Sequence, residues 1–256
     1  MLKAHGMSNP GPVRKINEDG FAIEEDLQLF VVADGMGGHA AGEVASSLAI
    51  ESIVGFIRRS NEDADCSWPY GIEPDLSLCG NRLRTAIHLA NRRVYRAAEK
   101  YDEYTGMGTT VVSALISGNR LTVGYAGDSR LYLLSNGIIT QLTVDDTWAT
   151  ALSLDPEANG TDVSSHPMRH VLTNVIGARD HADVHLQEHD LRSGDTLLLC
   201  SDGLHNALDQ GRLRELMGRN GSLADLVSQM IDAALANGSR DNVTAVVVRC
   251  ERPDAV

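Results

Sequence analysis

The sequence predicts an α+β fold, and three observations carry that prediction. Short β-rich runs follow one another directly, separated by tight-turn dipeptides such as Gly118–Asn119 and Asn136–Gly137. Apolar residues at helical spacing are grouped before and after this block of strands. Strands and helices do not alternate one for one, so antiparallel rather than parallel sheets are expected.

Taken in order, residues 1–20 read as irregular and end in RKINEDG. Two short strands are predicted at Phe21–Ile23 and Leu29–Ala33, split by the acidic turn Glu24–Glu25–Asp26. Over residues 40–59, Val44, Leu48, Ile53, Phe56 and Ile57 recur at the spacing of a helix with one buried face. Residues 61–80 mix acidic residues with Pro and Gly without a period, and read as a surface loop of little structural weight. Leu83, Ile87, Ala90, Val94, Ala97 and Tyr101 mark a second long helix. A β meander is predicted from TTVVSALI, RLTVGYAG, RLYLLS and IITQLT. Residues 144–170 are polar, contain Pro156 and Pro167, and read as a flap with a short helix, the kind of long loop that often serves function. A strand pair near Asp183–His189 and Thr196–Ser201, a helical stretch through Leu213–Leu235 and a closing strand NVTAVVVRC complete the pattern. With no repeat, linker or low-complexity tract, one domain is expected to cover residues 1–256.

Composition narrows the function classes. A net charge of −13 without any block of basic residues argues against a nucleic-acid surface. No apolar run approaches the ~18–20 residues of a membrane span, and the N-terminal MLKAHGMSNPGP lacks a signal core. A cytoplasmic, monomeric protein is expected. Cys66, Cys79, Cys200 and Cys250 form no CxxC pair, which argues against a zinc ribbon. Cys200 and Cys250 lie in apolar runs and read as core residues, and a Cys66–Cys79 bridge is not expected without a secretory context.

Four aspartates stand at the tips of β-like runs: Asp34 in VVADGMGGH, Asp128 in YAGDSR, Asp202 in LLLCSDGL and Asp241 in SRDNVTAVVV. Converging tips of this kind would make an oxygen-only cage for hard divalent cations such as Mg²⁺ or Mn²⁺. Gly35, Gly37 and Gly38 let the backbone approach a ligand beside Asp34, and a glycine carbonyl next to that carboxylate is a plausible ligand pair. Such a cage suits metal-assisted hydrolysis of a phosphate ester.

The segments RKINED, VVADGMGGHAAGE, GMGTTVV, YAGDSRLYLL, CSDGL and SRDNVTAVVV, in this order over about residues 6 to 250, resemble the PP2C-type metal-dependent serine/threonine protein phosphatases, above all the compact bacterial members. The resemblance implies a four-layer αββα sandwich, two antiparallel sheets flanked by helix pairs. It implies that Asp34 bridges two Mn²⁺ or Mg²⁺ ions, that the Gly35 carbonyl binds one and that Asp202 and Asp241 complete the other. Asp19 would hold a metal-bound water or ligate directly, with Glu18 ranked below it, and Asp128 with Asp202 would hold a third, weaker ion. A hydroxide bridging two ions would attack phosphorus in line, and Arg14 would bind the phosphoryl oxygens as a fork that Lys15 cannot form. The implied substrates are phosphoserine and phosphothreonine on proteins, among them a bacterial serine/threonine kinase and its targets.

The match has departures. Met36 stands where eukaryotic members carry a histidine, which leaves the leaving-group acid open between His39 and a metal-bound water. VDDTW replaces an Asp-His-Ser or Asp-Asp-Ser version, with Asp146 read as positioning the flap and Trp148 as packing or touching substrate. His166 and His170 bracket Pro167 where the flap could touch substrate, and His181, His185 and His189 read as strand residues rather than a metal site. A non-catalytic regulator on the same fold and a phosphatase of small phosphoesters are the competing readings.

Overall fold

The computed structural model describes residues 2–38, 41–63, 65–154 and 166–251. In chain order it contains β1 (Leu2–Asn9), β2 (Asp19–Glu24), β3 (Leu29–Met36), α1 (Ala41–Glu62), α2 (Leu78–Lys100), β4 (Gly108–Thr109), β5 (Val111–Ser117), β6 (Arg120–Ala126), β7 (Arg130–Ser135), β8 (Ile138–Gln141), α3 (Trp148–Leu154), β9 (His185–Asp190), β10 (Thr196–Cys200), α4 (Asp202–His205), α5 (Gln210–Met217), α6 (Leu223–Ala236) and β11 (Val243–Cys250). One sheet has the order β1-β11-β10-β7-β8 and the other β2-β3-β5-β6-β9, with β4 alongside β3. Every named pairing is antiparallel.

Side-chain alternation builds the layers. On β3, Leu29, Val31 and Ala33 pack under α1 and α2, while Phe30 and Val32 face the opposite sheet. On β11, Val243, Ala245 and Val247 pack under α5 and α6, while Val246, Val248 and Cys250 meet the first set between the sheets. A strand apolar on both faces belongs in the middle of a stack, so the layers run helix pair, sheet, sheet, helix pair. This is the expected αββα sandwich. Among the described residues no helix is long and apolar enough to cross a membrane.

Several sequence expectations are corrected. Residues 2–9 form β1, paired along its length with β11; the strand was hidden because its inner face carries only Leu2, Ala4 and Gly6. A Cβ on Gly6 would lie 2.7 Å from the Phe21 ring, so that face has no room for a larger side chain. The meander is broken: β6 and β7 lie in different sheets, and Gly127–Asp128–Ser129 carries the chain across. β9 and β10 are likewise in different sheets rather than paired. The single helical stretch near Leu213–Leu235 is two helices, capped separately by Asp209 accepting from Arg212 N and Ser222 accepting from Asp225 N. The loop after α1 is anchored, with Trp68 edge-on to Phe56 at 6.0 Å and the Asn81 side chain bonded to Glu73 N and O. The four cysteines are free.

Candidate metal centre

The candidate site is the polar end of the core between the sheets. The β2–β3 register sets Asp19 opposite Asp34. Alternation along β3 sends Asp34 to the same side as Phe30 and Val32, toward the other sheet. From that sheet Ser201 Oγ and Thr244 Oγ1, also opposed across β10 and β11, each donate to Asp19 Oδ2 at 2.7 Å. Asp202 opens α4 directly after β10, Asp241 lies just before β11, and Asp128 sits on the crossing from β6 to β7. Arg14, Glu18, Asp34, Gly35, Asp128, Asp202 and Asp241 line one cavity of about 340 Å³.

Asp19 and Asp202 bring their carboxyls within hydrogen-bonding reach of the Asp34 carboxyl. Burial, then the charges of Asp19, Asp202, Asp128 and Asp241, push the Asp34 carboxyl well above the usual range. Burial and the charges of Asp241 and Asp19 raise Asp202 to about 6. Burial, with Asp202 and Asp145 adding repulsion, raises Asp128 to about 7. Asp19 is also raised, chiefly by burial, and its Oδ1 is a buried oxygen that no donor reaches. Arg14 Nη2 donates to Asp241 Oδ2 at 2.7 Å on the half-exposed rim.

Glu18 has a different surrounding. Its Oε1 accepts from Gly42 N at the start of α1, and its carbonyl accepts from Gly35 N and Ser46 Oγ. A Cβ on Gly35 would lie 2.0 Å from Gly42 O, so only glycine lets β3 and α1 approach this closely. His39 lies outside the described residues. Met36 and His170 line the cavity.

Asn242, Thr110 and Arg130 escaped the sequence analysis, whereas Asp146 was read there as positioning the flap. Asn242 donates to Pro10 O and Ile16 O and accepts from Glu18 N, so it fastens the segment carrying Arg14, Glu18 and Asp19 to β11. Its partners are backbone atoms, and the DN pair at Asp241 was the only hint. Thr110 Oγ1 accepts from Asp34 N at 3.1 Å. Arg130 grips Asp145 through Nε and Nη2 at 2.9 and 2.7 Å. Asp146 Oδ2 accepts from Gly127 N and Asn174 Nδ2, while its Oδ1 meets His185 Nε2 at 2.9 Å. These bonds tie the start of the flap segment to the crossing that carries Asp128.

The protein phosphatase 2C sequence profile matches residues 14–246. The chain belongs to the protein phosphatase 2C family. Serine/threonine protein phosphatase PstP of Mycobacterium tuberculosis is 35% identical over 247 residues, covering 96% of this chain and 45% of that protein. The chain therefore spans about half the length of that relative. The serine/threonine phosphatase stp of Listeria monocytogenes is 31% identical over 254 residues, covering 96% and 95% of the two chains. The solved catalytic domain of PstP in complex with two manganese ions has a TM-score of 0.80 at 33% identity, covering 98% and 99% of the two chains.

In this protein phosphatase 2C member the donor set fits hard divalent cations. All candidate ligands are oxygens, Asp34, Asp128, Asp202 and Asp241 line one cavity, and the buried Asp19 Oδ1 has no donor. Among the described residues no three His, Cys, Asp or Glu side chains converge closely enough to hold an ion by themselves. Mg²⁺-type sites use one or two carboxylates and keep several waters, so a cation here would be held by waters as well as by these carboxylates.

Proposed function

We propose that this chain is a metal-dependent phosphatase that removes phosphate from phosphoserine and phosphothreonine on proteins, opposing a serine/threonine kinase. The observation that carries the proposal is the cavity between the sheets that gathers Asp34, Gly35, Asp128, Asp202 and Asp241, with Asp19 opposite Asp34 and one of its oxygens buried without a donor. Two Mn²⁺ or Mg²⁺ ions, with a third held more weakly, would supply the Lewis acidity that activates water and offsets phosphoryl charge. Asp34 stands at the centre and is the carboxylate both ions would share. Gly35 through its carbonyl, Asp202, Asp241 and Asp19 would complete their shells, and Asp128 with Asp202 would hold the third.

Arg14 binds the substrate phosphate in this reading. Its guanidinium sits on the rim with one donor on Asp241, and its remaining donors match two phosphate oxygens. Moving from Asp241 to the phosphate frees that carboxylate as substrate arrives. Glu18 is assigned to structure, because its carboxylate fixes the first turn of α1. The reading keeps one monomeric catalytic domain acting in the cytoplasm on phosphorylated proteins, the kinase among them.

The test is phosphate release from a phosphothreonine peptide by the metal-stripped chain with and without Mn²⁺, alongside thermal unfolding under both conditions. Release only with Mn²⁺, and a Tm raised by Mn²⁺, are expected. Asp34→Asn is expected to lose turnover and the Tm response while staying folded. Unimpaired turnover in folded Asp34→Asn protein refutes the shared-carboxylate centre.

A further inference from the structure

A groove of about 800 Å³ runs between the solvent faces of α1 and α2, and Arg58, Arg59, Arg92, Arg93 and Arg96 line it. Gly55 and Leu89 belong to the same lining and leave an open, partly apolar stretch among the arginines. Two of the five are neutralised locally: Arg58 donates to Glu24 and Asp26, and Arg93 to Glu51. Arg59, Arg92 and Arg96 are exposed and have no hydrogen-bond or ion-pair partner among the described residues. In a chain of net charge −13, the groove's lining holds five arginines against one carboxylate, Glu51, with Glu62, Asp63 and Asp65 beside Arg59 in the adjoining pocket, and like charges gathered on adjacent helices favour an anion between them.

We propose that this groove docks a second phosphate-bearing segment of a protein substrate while a first phosphorylated residue occupies the carboxylate centre. The inference rests on the phosphatase reading for what happens at that centre, but the groove's own chemistry stands apart from it. Guanidinium forks match phosphate oxygens, and Leu89 with the arginine stems offers apolar contact to neighbouring peptide side chains. A concave groove admits a peptide chain but not a planar membrane, and the surrounding negative charge repels a long nucleic acid. α1 joins the two places. Its Gly42 amide meets Glu18 at the centre, and at 1.5 Å per residue Gly55 lies roughly 20 Å farther along. An extended peptide spans that distance in roughly six residues, so phosphosites roughly six to ten residues apart can engage both places at once.

The experiment compares singly and doubly phosphorylated peptides, the latter with sites about eight residues apart, on the full chain with Mn²⁺. The effective-concentration gain of a second contact should lower KM for the doubly phosphorylated peptide about tenfold. The triple variant Arg59→Ala/Arg92→Ala/Arg96→Ala should abolish that difference while leaving kcat and p-nitrophenyl phosphate turnover unchanged. The Arg→Lys triple, which keeps the charge, should restore part of it. Fluorescence anisotropy with a doubly substituted, non-hydrolysable phosphonate peptide reads binding without turnover, and the Ala triple should bind it about tenfold more weakly. Equal binding by wild type and Ala triple overturns the proposal. So does tighter arginine-dependent binding of phosphatidylglycerol vesicles or of a 20-mer RNA than of the peptide. If no phosphate is released yet binding still depends on these arginines, the phosphatase reading falls and the groove stands.

Discussion

Asp19 does two things with one carboxyl. Oδ2 takes two hydroxyl donors, from Ser201 and Thr244, while Oδ1 is buried with none. Asp19→Asn removes a disfavoured charge and offers Asp34 a donor in its place. The metal-free variant is expected to gain about 1–2 kcal/mol in urea unfolding with chelator, and to lose its stabilisation by Mn²⁺. Its neighbours set a proton count. With Asp202 raised to about 6 and Asp128 to about 7, these acids hold protons in mildly acidic solution that a cation must displace. Calorimetric titration with Mn²⁺ at pH 6 should give heats that depend on the buffer's ionisation enthalpy, with little such dependence at pH 8.5. Buffer-independent heat at both values removes these carboxyls from the binding site. The aspartate tips were legible in the sequence because each ends or begins an apolar run. Asn242 was not, because a side chain bonded to backbone atoms leaves no partner residue to recognise.

Crossings between sheets make the site at the level of elements. Gly127, at φ 103°, turns the chain from β6 to β7 with Thr110 packed beneath it, and Asp146 and His185 hold the turn from the flap side. Hydrogen bonding to Asp146 raises His185, and bonds from His185, Gly127 and Asn174 outweigh burial to lower Asp146. The raised histidine contributes stability that is complete below its ordinary 6.5 and lost as pH rises through its folded value. The lowered carboxyl contributes stability that is complete above 3.8 and lost as pH falls through its folded value. The pair therefore stabilises fully between 3.8 and 6.5. His185→Gln should cost stability at pH 5.5 and much less at pH 9, and an equal cost at both values contradicts the charged pair. The crossing was illegible because run, turn and run look the same for a hairpin and for a change of sheet. What distinguishes them is long-range pairing, β6 with β9 and β7 with β10. The strands themselves were legible because β3, β5, β10 and β11 are buried on both faces and read as continuous apolar runs.

For the molecule as a whole, negative charge is both a solvating feature and a load. The net charge of −13 includes carboxyls pressed together between the sheets, and added salt screens such repulsion over about 10 Å at 0.1 M. The Tm of the chelator-treated chain should rise between 0.05 and 0.5 M NaCl, and the rise should shrink once Mn²⁺ is present. A salt-independent Tm without metal would mean that the clustered charge is already relieved by protons at the pH of the measurement. The four-layer order followed from antiparallel strand grouping and paired helices. Which strands share a sheet did not, because that depends on which of two apolar faces meets which helix pair.

The pairing of β1 with β11 has a consequence for the order in which the protein is made. Ser8 bonds Thr244, Asp19 bonds Thr244, and Glu18 leans on Asn242, so residues from the first twenty positions wait for partners more than two hundred residues downstream. A ribosome completes those partners tens of seconds after β1 and β2 emerge, at about 5–20 residues per second. Until then β1 is an unpaired edge and Asp19 has no hydroxyl donors. The aspartate-lined end of the sandwich is thus a late part to close, and a nascent chain that has not yet released residues 239–250 lacks the hydroxyl and amide partners that hold Asp19 and Glu18 in place.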